Sequence, residues 1–403
     1  MRVVQTFTVP MSLCFLEGQT QFWKQNGYEL HILSSSKNSI ETKQLNAFGL
    51  RNELITNAIP FRRKISPLKD LQSLYRLKLY FQSKKPQIVH GNTPKAAFLS
   101  MLAAWYSGVP IRIYEMHGLP LETATFGHKI LYKLAEKWAC HCATHVIAVS
   151  HSLRQTAIDN KLVSPPKISV MHNGSCNGVD AAHTFNPENI TEHRLEQLRR
   201  KYQLTKNQPI VGFVGRLVAD KGIDELYKAW QSVKHSHLNA KLLLIGGDEE
   251  EKLPEPFKQK LQSDSDICWT GEVSEIAPYY ALMDFLVLPS HREGFGNVVL
   301  EAAAMGKPTI GFHVTGLKDA IVENETGIFC RNRTYEELAE KILFYLQNPE
   351  TAQRHGKAAR QRALADFKPL DIWLAKGMLY RRLLAAVESV PLPHVSPLLQ
   401  ATD

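Results

Sequence analysis

Residues 284–306 have the sequence DFLVLPSHREGFGNVVLEAAAMG, which begins with a short apolar run that predicts a buried strand. A turn with two glycines, Gly294 and Gly296, follows, and an apolar segment at helical spacing ends at Gly306. A strand, a glycine turn and a helix in this order are typical of a parallel sheet with crossover helices. The segment therefore predicts an α/β domain with a glycine turn at the carboxyl end of one strand.

The glycine turn is a candidate anion-binding site, and two glutamates flank it. Gly294 and Gly296 let the backbone approach a ligand, and the first N–H groups of the next helix favour a phosphate. Glu293 and Glu301 would lie about 12 Å apart if the whole segment were helical, at about 1.5 Å per residue. Carboxylates accept hydrogen bonds from vicinal hydroxyls, so a nucleotide sugar fits this spacing. The alternative is an ordinary helix with one exposed and one partly buried glutamate.

A second loop of the same kind is Gly215-Arg-Leu-Val-Ala-Asp-Lys-Gly222, which follows the apolar run PIVGFVG and precedes a helix. Arg216 offers a planar fork and Lys221 a mobile point charge, and together they could neutralise a diphosphate leaving group. Taken alone, the two residues would be ordinary surface charges. Their position beside a second strand-end turn favours a pyrophosphate site.

Strand-like runs alternate with helical stretches along almost the whole chain, which predicts two doubly wound α/β domains. The alternation breaks between about Asn173 and Pro209, where a Gly/Asn cluster and a polar helix occur. We therefore expect an N-terminal domain (1–180), a C-terminal domain (181–370), a helix (371–390) that returns to the first domain, and a Pro-rich tail (391–403). Open α/β sheets bind ligands at the carboxyl ends of their strands, so the two domains should face a central cleft.

Three groups of residues together resemble the family-4 retaining glycosyltransferases of the GT-B fold. They are Gly215-Arg216 with Lys221-Gly222, Glu293-Gly-Phe-Gly with Glu301-Ala, and Asn177-Gly-Val-Asp180. The resemblance implies two Rossmann-like domains and a donor site in the second one. Arg216 and Lys221 would hold the donor diphosphate, Glu293 the hydroxyls of the transferred sugar, and Glu301 the ribose. The backbone of Gly294, Phe295, Gly296 and Asn297 would contact sugar and phosphate.

The first domain carries a further candidate, His117, in Met116-His117-Gly118 at the end of the strand PIRIYE. By resemblance this histidine would lie near the sugar during transfer; the alternative is a packed histidine. The family often has a Gly-Gly turn after its first strand, and here that stretch is Pro10-Met-Ser-Leu. The usual donor contact at that turn is therefore not expected.

Together these features predict a retaining glycosyltransferase that moves a hexose or N-acetylhexosamine from a nucleoside-diphosphate sugar. The resemblance points to UDP-sugars, to a lipid-linked or polysaccharide acceptor in cell-surface glycan biosynthesis, and to a mechanism without metal or other cofactor. Electrostatic stabilisation of the leaving diphosphate would carry catalysis, because no nucleophile is evident. The alternatives are a GT-B sugar-nucleotide epimerase and a basic nucleic-acid-binding protein, and no nucleic-acid module supports the latter.

The net charge of +9 is concentrated in residues 51–100, where ten Lys and Arg against two acids give +8. Apolar and aromatic residues interrupt these charges, which is typical of a surface that docks on an anionic membrane. The alternatives are that these charges bind acceptor phosphates or form a plain solvated helix face. No apolar run reaches the roughly 18–20 residues of a spanning helix, and no signal peptide is evident. We therefore expect a cytoplasmic protein, peripheral on the inner face of the cell membrane, with its six cysteines reduced.

Two motifs could suggest a metal site. Asp264-Ser-Asp266 is a D-x-D sequence, but it precedes a strand, whereas a donor-site motif is expected after one. Cys140-His141-Cys142 with His145 offers soft ligands at a spacing that matches no usual zinc pattern. We expect neither motif to bind a metal.

Overall fold

Thirteen parallel strands form two sheets in the computed structural model, which describes residues 1–236, 239–248 and 253–387. The described chain divides into two compact units, and the division falls between Asn177 and Gly178, three residues before the boundary expected at 180. The second unit is Gly178–Lys368, and the chain from Pro369 onward belongs to the first unit. The predicted tail, residues 391–403, lies outside the described residues, as do 388–390 of the predicted helix.

The first unit contains a seven-stranded sheet. Its order is β3-β2-β1-β4-β5-β6-β7, so the chain reverses direction across the sheet between β1 and β4. The strands are β1 (Arg2–Thr6), β2 (Glu29–Ser34), β3 (Ile55–Ala58), β4 (Ile88–Asn92), β5 (Ile111–Met116), β6 (His145–Ala148) and β7 (Ile168–Val170).

Helices cover both faces of this sheet. They are α1 (Gln19–Gln25), α2 (Ser39–Asn52), α3 (Pro67–Lys84), α4 (Pro94–Tyr106), α5 (Phe126–Cys142) and α6 (His151–Asp159). Right-handed crossovers place α1 and α2 on one face and α3, α4 and α5 on the other. Helix α4 packs against both α3 and α5, so these three helices form one layer.

The last helix of the described chain, α15 (Pro369–Val387), completes the core of the first unit. Tyr380 stacks on Trp23 with ring centroids 5.1 Å apart. The indole Nε1 of Trp373 donates a hydrogen bond of 2.6 Å to Asn177 Oδ1. Buried aromatic contacts and a long-range hydrogen bond therefore hold α15 to this unit.

The second unit contains a six-stranded sheet of order β10-β9-β8-β11-β12-β13, with a reversal between β8 and β11. The strands are β8 (Ile210–Val214), β9 (Lys241–Ile245), β10 (Ile267–Trp269), β11 (Phe285–Leu288), β12 (Thr309–Phe312) and β13 (Gly327–Cys330). The helices are α7 (Glu192–Lys201), α8 (Ile223–Ser236), α9 (Glu255–Ser263), α10 (Ala277–Leu282), α11 (Asn297–Ala304), α12 (Leu317–Ala320), α13 (Tyr335–Gln347) and α14 (Pro349–Asp366). Both units are thus doubly wound Rossmann-like folds.

Two findings bear on sequence expectations about the whole chain. Within the described residues, no helix combines the length and apolar character needed to cross a bilayer. None of the six cysteines forms a disulfide bond.

Candidate active site

The two loops singled out in the sequence lie side by side in the second unit. Strands β8 and β11 are hydrogen-bonded neighbours, and the loops that leave their carboxyl ends are residues 215–222 and 289–296. This is the point where the strand order reverses, and open α/β sheets bind ligands in the crevice formed there. The fold therefore brings Arg216 and Lys221 to the carboxyl ends of the strands, beside the glycine turn.

Lys221 and Glu293 form an ion pair across the two loops. Lys221 Nζ donates a hydrogen bond of 2.6 Å to Glu293 Oε1, and the side chains are 18% and 12% exposed. The sequence predicts both residues as ligand contacts but does not predict that they pair with each other. In this structure each charged group orients the other at the carboxyl ends of β8 and β11.

Backbone and side-chain contacts fix the two loops to each other. His291 N–H donates to the Asp220 carbonyl at 2.9 Å, and Arg292 donates to the Asp220 carboxylate at 3.1 Å. Gly222, at φ +69°, lies so close that a Cβ atom there would be 2.1 Å from the Pro289 carbonyl oxygen. This close approach requires glycine, which explains why the loop ends with Lys221-Gly222.

The glycine turn has the geometry expected of a helix N-terminus that receives an anion. Gly296 is the N-cap residue of α11 at φ +91°, and a glycine has no side chain with which to cap the helix. Gly316, in the loop after β12, has φ +81° and lies so close that its Cβ would be 2.6 Å from the Gly294 carbonyl. The Phe295 side chain is buried against Phe367, so only its backbone can reach a ligand. Asn297 is the first residue of α11.

Glu301 lies in the second turn of α11, and its carboxylate accepts a hydrogen bond of 2.8 Å from the Tyr280 hydroxyl. Burial raises the pKa of Glu301 to about 7, against the opposing effect of that hydrogen bond. The segment is not helical throughout, because 293–296 is a turn and the helix begins at Asn297. The distance estimate for an unbroken helix therefore does not apply to Glu293 and Glu301.

Arg216 follows Gly215 directly after β8 and is partly exposed. Its loop is fixed by a 2.9 Å hydrogen bond from Leu217 N–H to the Gly247 carbonyl, at the end of the neighbouring strand β9. The structure thus places Arg216 in the same loop as Lys221, at the carboxyl end of β8.

In the first unit, His117 follows β5, next to the reversal point between β1 and β4. Its ring stacks on Phe15 with centroids 4.8 Å apart, and its Nε2 lies 3.3 Å from Asn92 Oδ1. Burial lowers the pKa of His117 to about 4, against the attraction of Glu115. The imidazole is therefore neutral at physiological pH and serves as a hydrogen-bonding group there. The 3₁₀ helix Pro10–Leu16, which replaces the Gly-Gly turn, carries the stacking Phe15.

A buried network of ion pairs and hydrogen bonds, which the sequence does not predict, lies beneath His117. Lys376 of α15 donates to both oxygens of Glu115, at 2.8 and 2.9 Å, and to the Cys176 carbonyl. His90 Nε2 lies 2.9 Å from the same carboxylate. Burial alone raises the pKa of Glu115, but Lys376 and His90 hold it below its usual range. A glutamate one position before a strand ends gives no signal in the sequence, since its lysine partner comes 261 residues later.

The motifs considered for metal binding are occupied by other contacts. Asp264 accepts from Lys234 at 2.8 Å, and Asp266 accepts from Lys241 at 2.8 Å. Burial raises the pKa of Cys140. Within the described ranges, no three His, Cys, Asp or Glu side chains are grouped so that they could hold a metal ion.

Comparison with known proteins agrees with this geometry. The family "Glycosyl transferases group 1" matches residues 195–362, and "Glycosyltransferase Family 4" matches residues 19–175. The capsular polysaccharide biosynthesis glycosyltransferase CapM of Staphylococcus aureus is 34% identical over 96% of this chain and 98% of that protein. A UDP-Gal:alpha-D-GlcNAc-diphosphoundecaprenol alpha-1,3-galactosyltransferase of Escherichia coli is 30% identical over 65% of this chain and 67% of that protein.

Solved structures show the same fold. HepE of Anabaena, in complex with UDP-glucose, has a TM-score of 0.75 at 17% identity and covers 96% of this chain and 100% of that chain. The similarity to CapM over nearly the full length of both proteins, the matched families and the two Rossmann-like units agree. The chain is therefore a glycosyltransferase of family 4 with the GT-B fold.

Proposed function

We propose that this enzyme is a retaining transferase that moves a hexose or N-acetylhexosamine from a UDP-sugar to a lipid-linked or polysaccharide acceptor in surface-glycan biosynthesis. The Lys221–Glu293 pair at the carboxyl ends of β8 and β11 carries the proposal. It provides a cation for a diphosphate and a carboxylate for sugar hydroxyls within one site. The names of the capsular and diphosphoundecaprenol-linked relatives and the UDP-glucose complex of HepE support the donor and acceptor classes.

The donor diphosphate lies between Arg216, Lys221 and the first turn of α11. The guanidinium and the ammonium neutralise the charge that develops as the bond to the sugar breaks. The N–H groups of the turn from Gly294 to Asn297, at the positive end of the α11 dipole, add hydrogen bonds. Glu301 binds the ribose hydroxyls through its carboxylate, which the Tyr280 hydroxyl orients. This division of labour needs no metal ion.

Glu293 positions the transferred sugar, and we keep for His117 the role of sugar contact that the family resemblance implies. When donor binds, the diphosphate takes over part of the attraction of Lys221, and the Glu293 carboxylate accepts hydrogen bonds from the sugar. His117, neutral at physiological pH, donates or accepts a hydrogen bond without adding a charge. The acceptor oxygen bonds the anomeric carbon on the face from which the diphosphate leaves, and the leaving phosphate takes the proton of the acceptor hydroxyl, so the sugar keeps its anomeric configuration.

The enzyme works on the cytoplasmic side as a peripheral membrane protein, with the exposed basic residues among 51–100 facing anionic lipid. Arg62, Arg63 and Lys64 lie in the loop before α3, and Arg63 and Lys64 are exposed. Each cation near an anionic surface contributes about 1 kcal/mol, so a few engaged residues give salt-sensitive binding. A lipid-linked acceptor lies at this surface, where the enzyme must meet it.

A transfer assay with excess EDTA tests the proposal. UDP-glucose, UDP-galactose and their N-acetyl derivatives are supplied with undecaprenyl-diphosphate-linked N-acetylglucosamine, and the product anomer is assigned by NMR. We expect an α-linked product from one α-linked donor. Glu293→Ala and Lys221→Ala should each lower the rate by roughly 10²–10³, the usual cost of one lost contact to a developing charge.

Lys241→Ala is the matched control, because it removes another partly buried ion pair between a lysine and a carboxylate in the same unit. Lys241 begins β9 and bonds Asp266, so it lies at the amino ends of the parallel strands, away from Lys221 at their carboxyl ends. Its activity should stay near that of the wild type. Near wild-type transfer by Glu293→Ala or Lys221→Ala would contradict the site, an inverted anomer the retaining mechanism, and dependence on Mn²⁺ or Mg²⁺ the metal-free one. An epimerised sugar nucleotide without acceptor would indicate the epimerase.

A further inference from the structure

Helix α5 exposes a row of large apolar side chains. Phe126, Ile130, Leu134 and Trp138 recur every fourth residue and are 51–83% exposed. Residues four apart lie on one face of a helix, so these side chains form a single stripe. An apolar stripe on a helix usually faces a core, whereas this one faces outward.

A row of lysines runs beside the apolar stripe. Lys129, Lys133 and Lys137 also recur every fourth residue, each one position before a stripe residue, and all three are exposed. A helix with an apolar stripe bordered by cations matches the pattern of helices that lie in a membrane interface. Trp138 is a residue type enriched where acyl chains meet head groups.

The opposite face of α5 is buried in its last two turns, so the helix that carries the exposed stripe is packed onto the fold there. Glu136, Ala139 and Cys140 are buried, and the Glu136 carboxylate lies 2.6 Å from the Tyr114 hydroxyl of β5. Because these residues make the contact of α5 with the core, the side chains of the outer stripe are not part of the core of this unit.

The neighbouring helices extend this surface. Of the 22 large apolar side chains exposed within the described residues, eleven lie on α3, α4 and α5. Those outside the α5 stripe are Leu68, Leu71, Tyr75, Leu79, Trp105, Tyr106 and Leu131. The Lys78 ammonium lies 4.4 Å above the Tyr106 ring. Apolar, aromatic and cationic groups thus share one helical layer.

We propose that α5 inserts its apolar stripe into the interface of an anionic bilayer, with α3 in the same helical layer on the far side of α4. The inference rests on the proposed function, because a lipid-linked acceptor gives the docking its purpose. It adds an apolar anchor, outside residues 51–100, to the electrostatic attraction of that region. A second copy of the chain fits the surface poorly, because facing α5 helices would bring two rows of lysines together. Anionic head groups complement those lysines.

Co-sedimentation with vesicles of equal parts phosphatidylglycerol and phosphatidylcholine tests the anchor. Full-length enzyme should bind, and part of the binding should persist at high salt, because apolar insertion is not screened. The variant Ile130→Gln/Leu134→Gln/Trp138→Gln should lose this salt-resistant part, with at least about a tenfold fall in vesicle affinity. Neutralising Arg62, Arg63 and Lys64 should instead weaken only the salt-sensitive part.

The matched control is Ile40→Gln/Leu50→Gln, which removes exposed apolar side chains from α2 on the other face of the sheet. It should bind vesicles like the wild type. UDP binding by the α5 variant should be unchanged, which separates this proposal from the donor site. Wild-type enzyme that ignores vesicles, an α5 variant that keeps salt-resistant binding, or self-association that only this variant abolishes would each overturn the proposal.

Discussion

Two buried carboxyl groups of this enzyme, those of Glu115 and Glu136, differ in pKa because their hydrogen-bonding partners differ. Glu115 is paired with the Lys376 ammonium, and its pKa is held low despite burial. Glu136 accepts a hydrogen bond from the Tyr114 hydroxyl, with no cation paired to it among the residues that the structure describes, and burial raises its pKa to about 7. A hydroxyl offsets less of the cost of burying a charge than an ammonium does.

Glu136 should make the first unit less stable as the pH rises. Its usual pKa is 4.5, so between pH 4.5 and 7 the folded state holds a proton that the unfolded state has lost. The free energy of unfolding therefore falls through this window, by about 3 kcal/mol for the full shift. Glu136→Gln cannot titrate and should be more stable than the wild type at pH 8, with a smaller difference at pH 5.

Urea unfolding of both proteins at the two pH values measures this difference. Glu53→Gln is the control: the Lys24 ammonium lowers the pKa of this exposed carboxyl from its usual 4.5, so it stays charged between pH 5 and 8, and the variant should leave the pH dependence in this window as it is. An identical pH dependence in Glu136→Gln and the wild type would show that Glu136 does not titrate in this range.

At the residue scale, a residue of the candidate site can be predicted from the sequence when its residue type occurs in a local pattern. Arg216, Lys221, Glu293 and Gly296 all lie in short loops between a strand and a helix. Lys376 has no such pattern, because its role depends on a partner far along the chain. The Lys221–Glu293 pair escapes prediction for the same reason, since 72 residues separate its members.

Among the elements, the loop after β12 supports the glycine turn through the close approach of Gly316 to Gly294. Gly316→Ala should displace that turn and lower transfer by roughly 10²-fold, the cost of about a 1 Å misplacement. Gly306→Ala is the control, because Gly306 has a similar positive φ but open space where the Cβ would lie. Steady-state transfer rates of the two variants should differ. Equal rates would assign the effect of Gly316→Ala to backbone strain.

Strands and helices follow from the sequence almost everywhere, because apolar periodicity differs between the two. The direction in which a helix turns its apolar stripe does not follow as well. Helix α5 has the spacing of a core helix, yet its largest apolar residues face outward while Glu136 and Cys140 face the sheet. Periodicity reports that a stripe exists, and only the packing of neighbouring elements shows what it contacts.

For the whole molecule, the repeated alternation of strands and helices predicts two Rossmann-like units, and the structure confirms them. The exact division of the chain depends on contacts that no local pattern shows. The residues Gly178–Asp180 belong to the second unit, where Val179 N–H donates to the Phe367 carbonyl at 2.9 Å. Helix α15 belongs to the first unit through Trp373, Lys376 and Tyr380.

Calorimetric titration of the enzyme with UDP, in the presence of EDTA, tests most directly whether the second unit binds a diphosphate without a metal ion. We expect one UDP per chain, and at least about tenfold weaker binding to Arg216→Ala and to Lys221→Ala, as expected for a lost charge-assisted hydrogen bond. Lys241→Ala should bind like the wild type. Absence of UDP binding to the wild type, or equal affinity in all four proteins, would contradict the account.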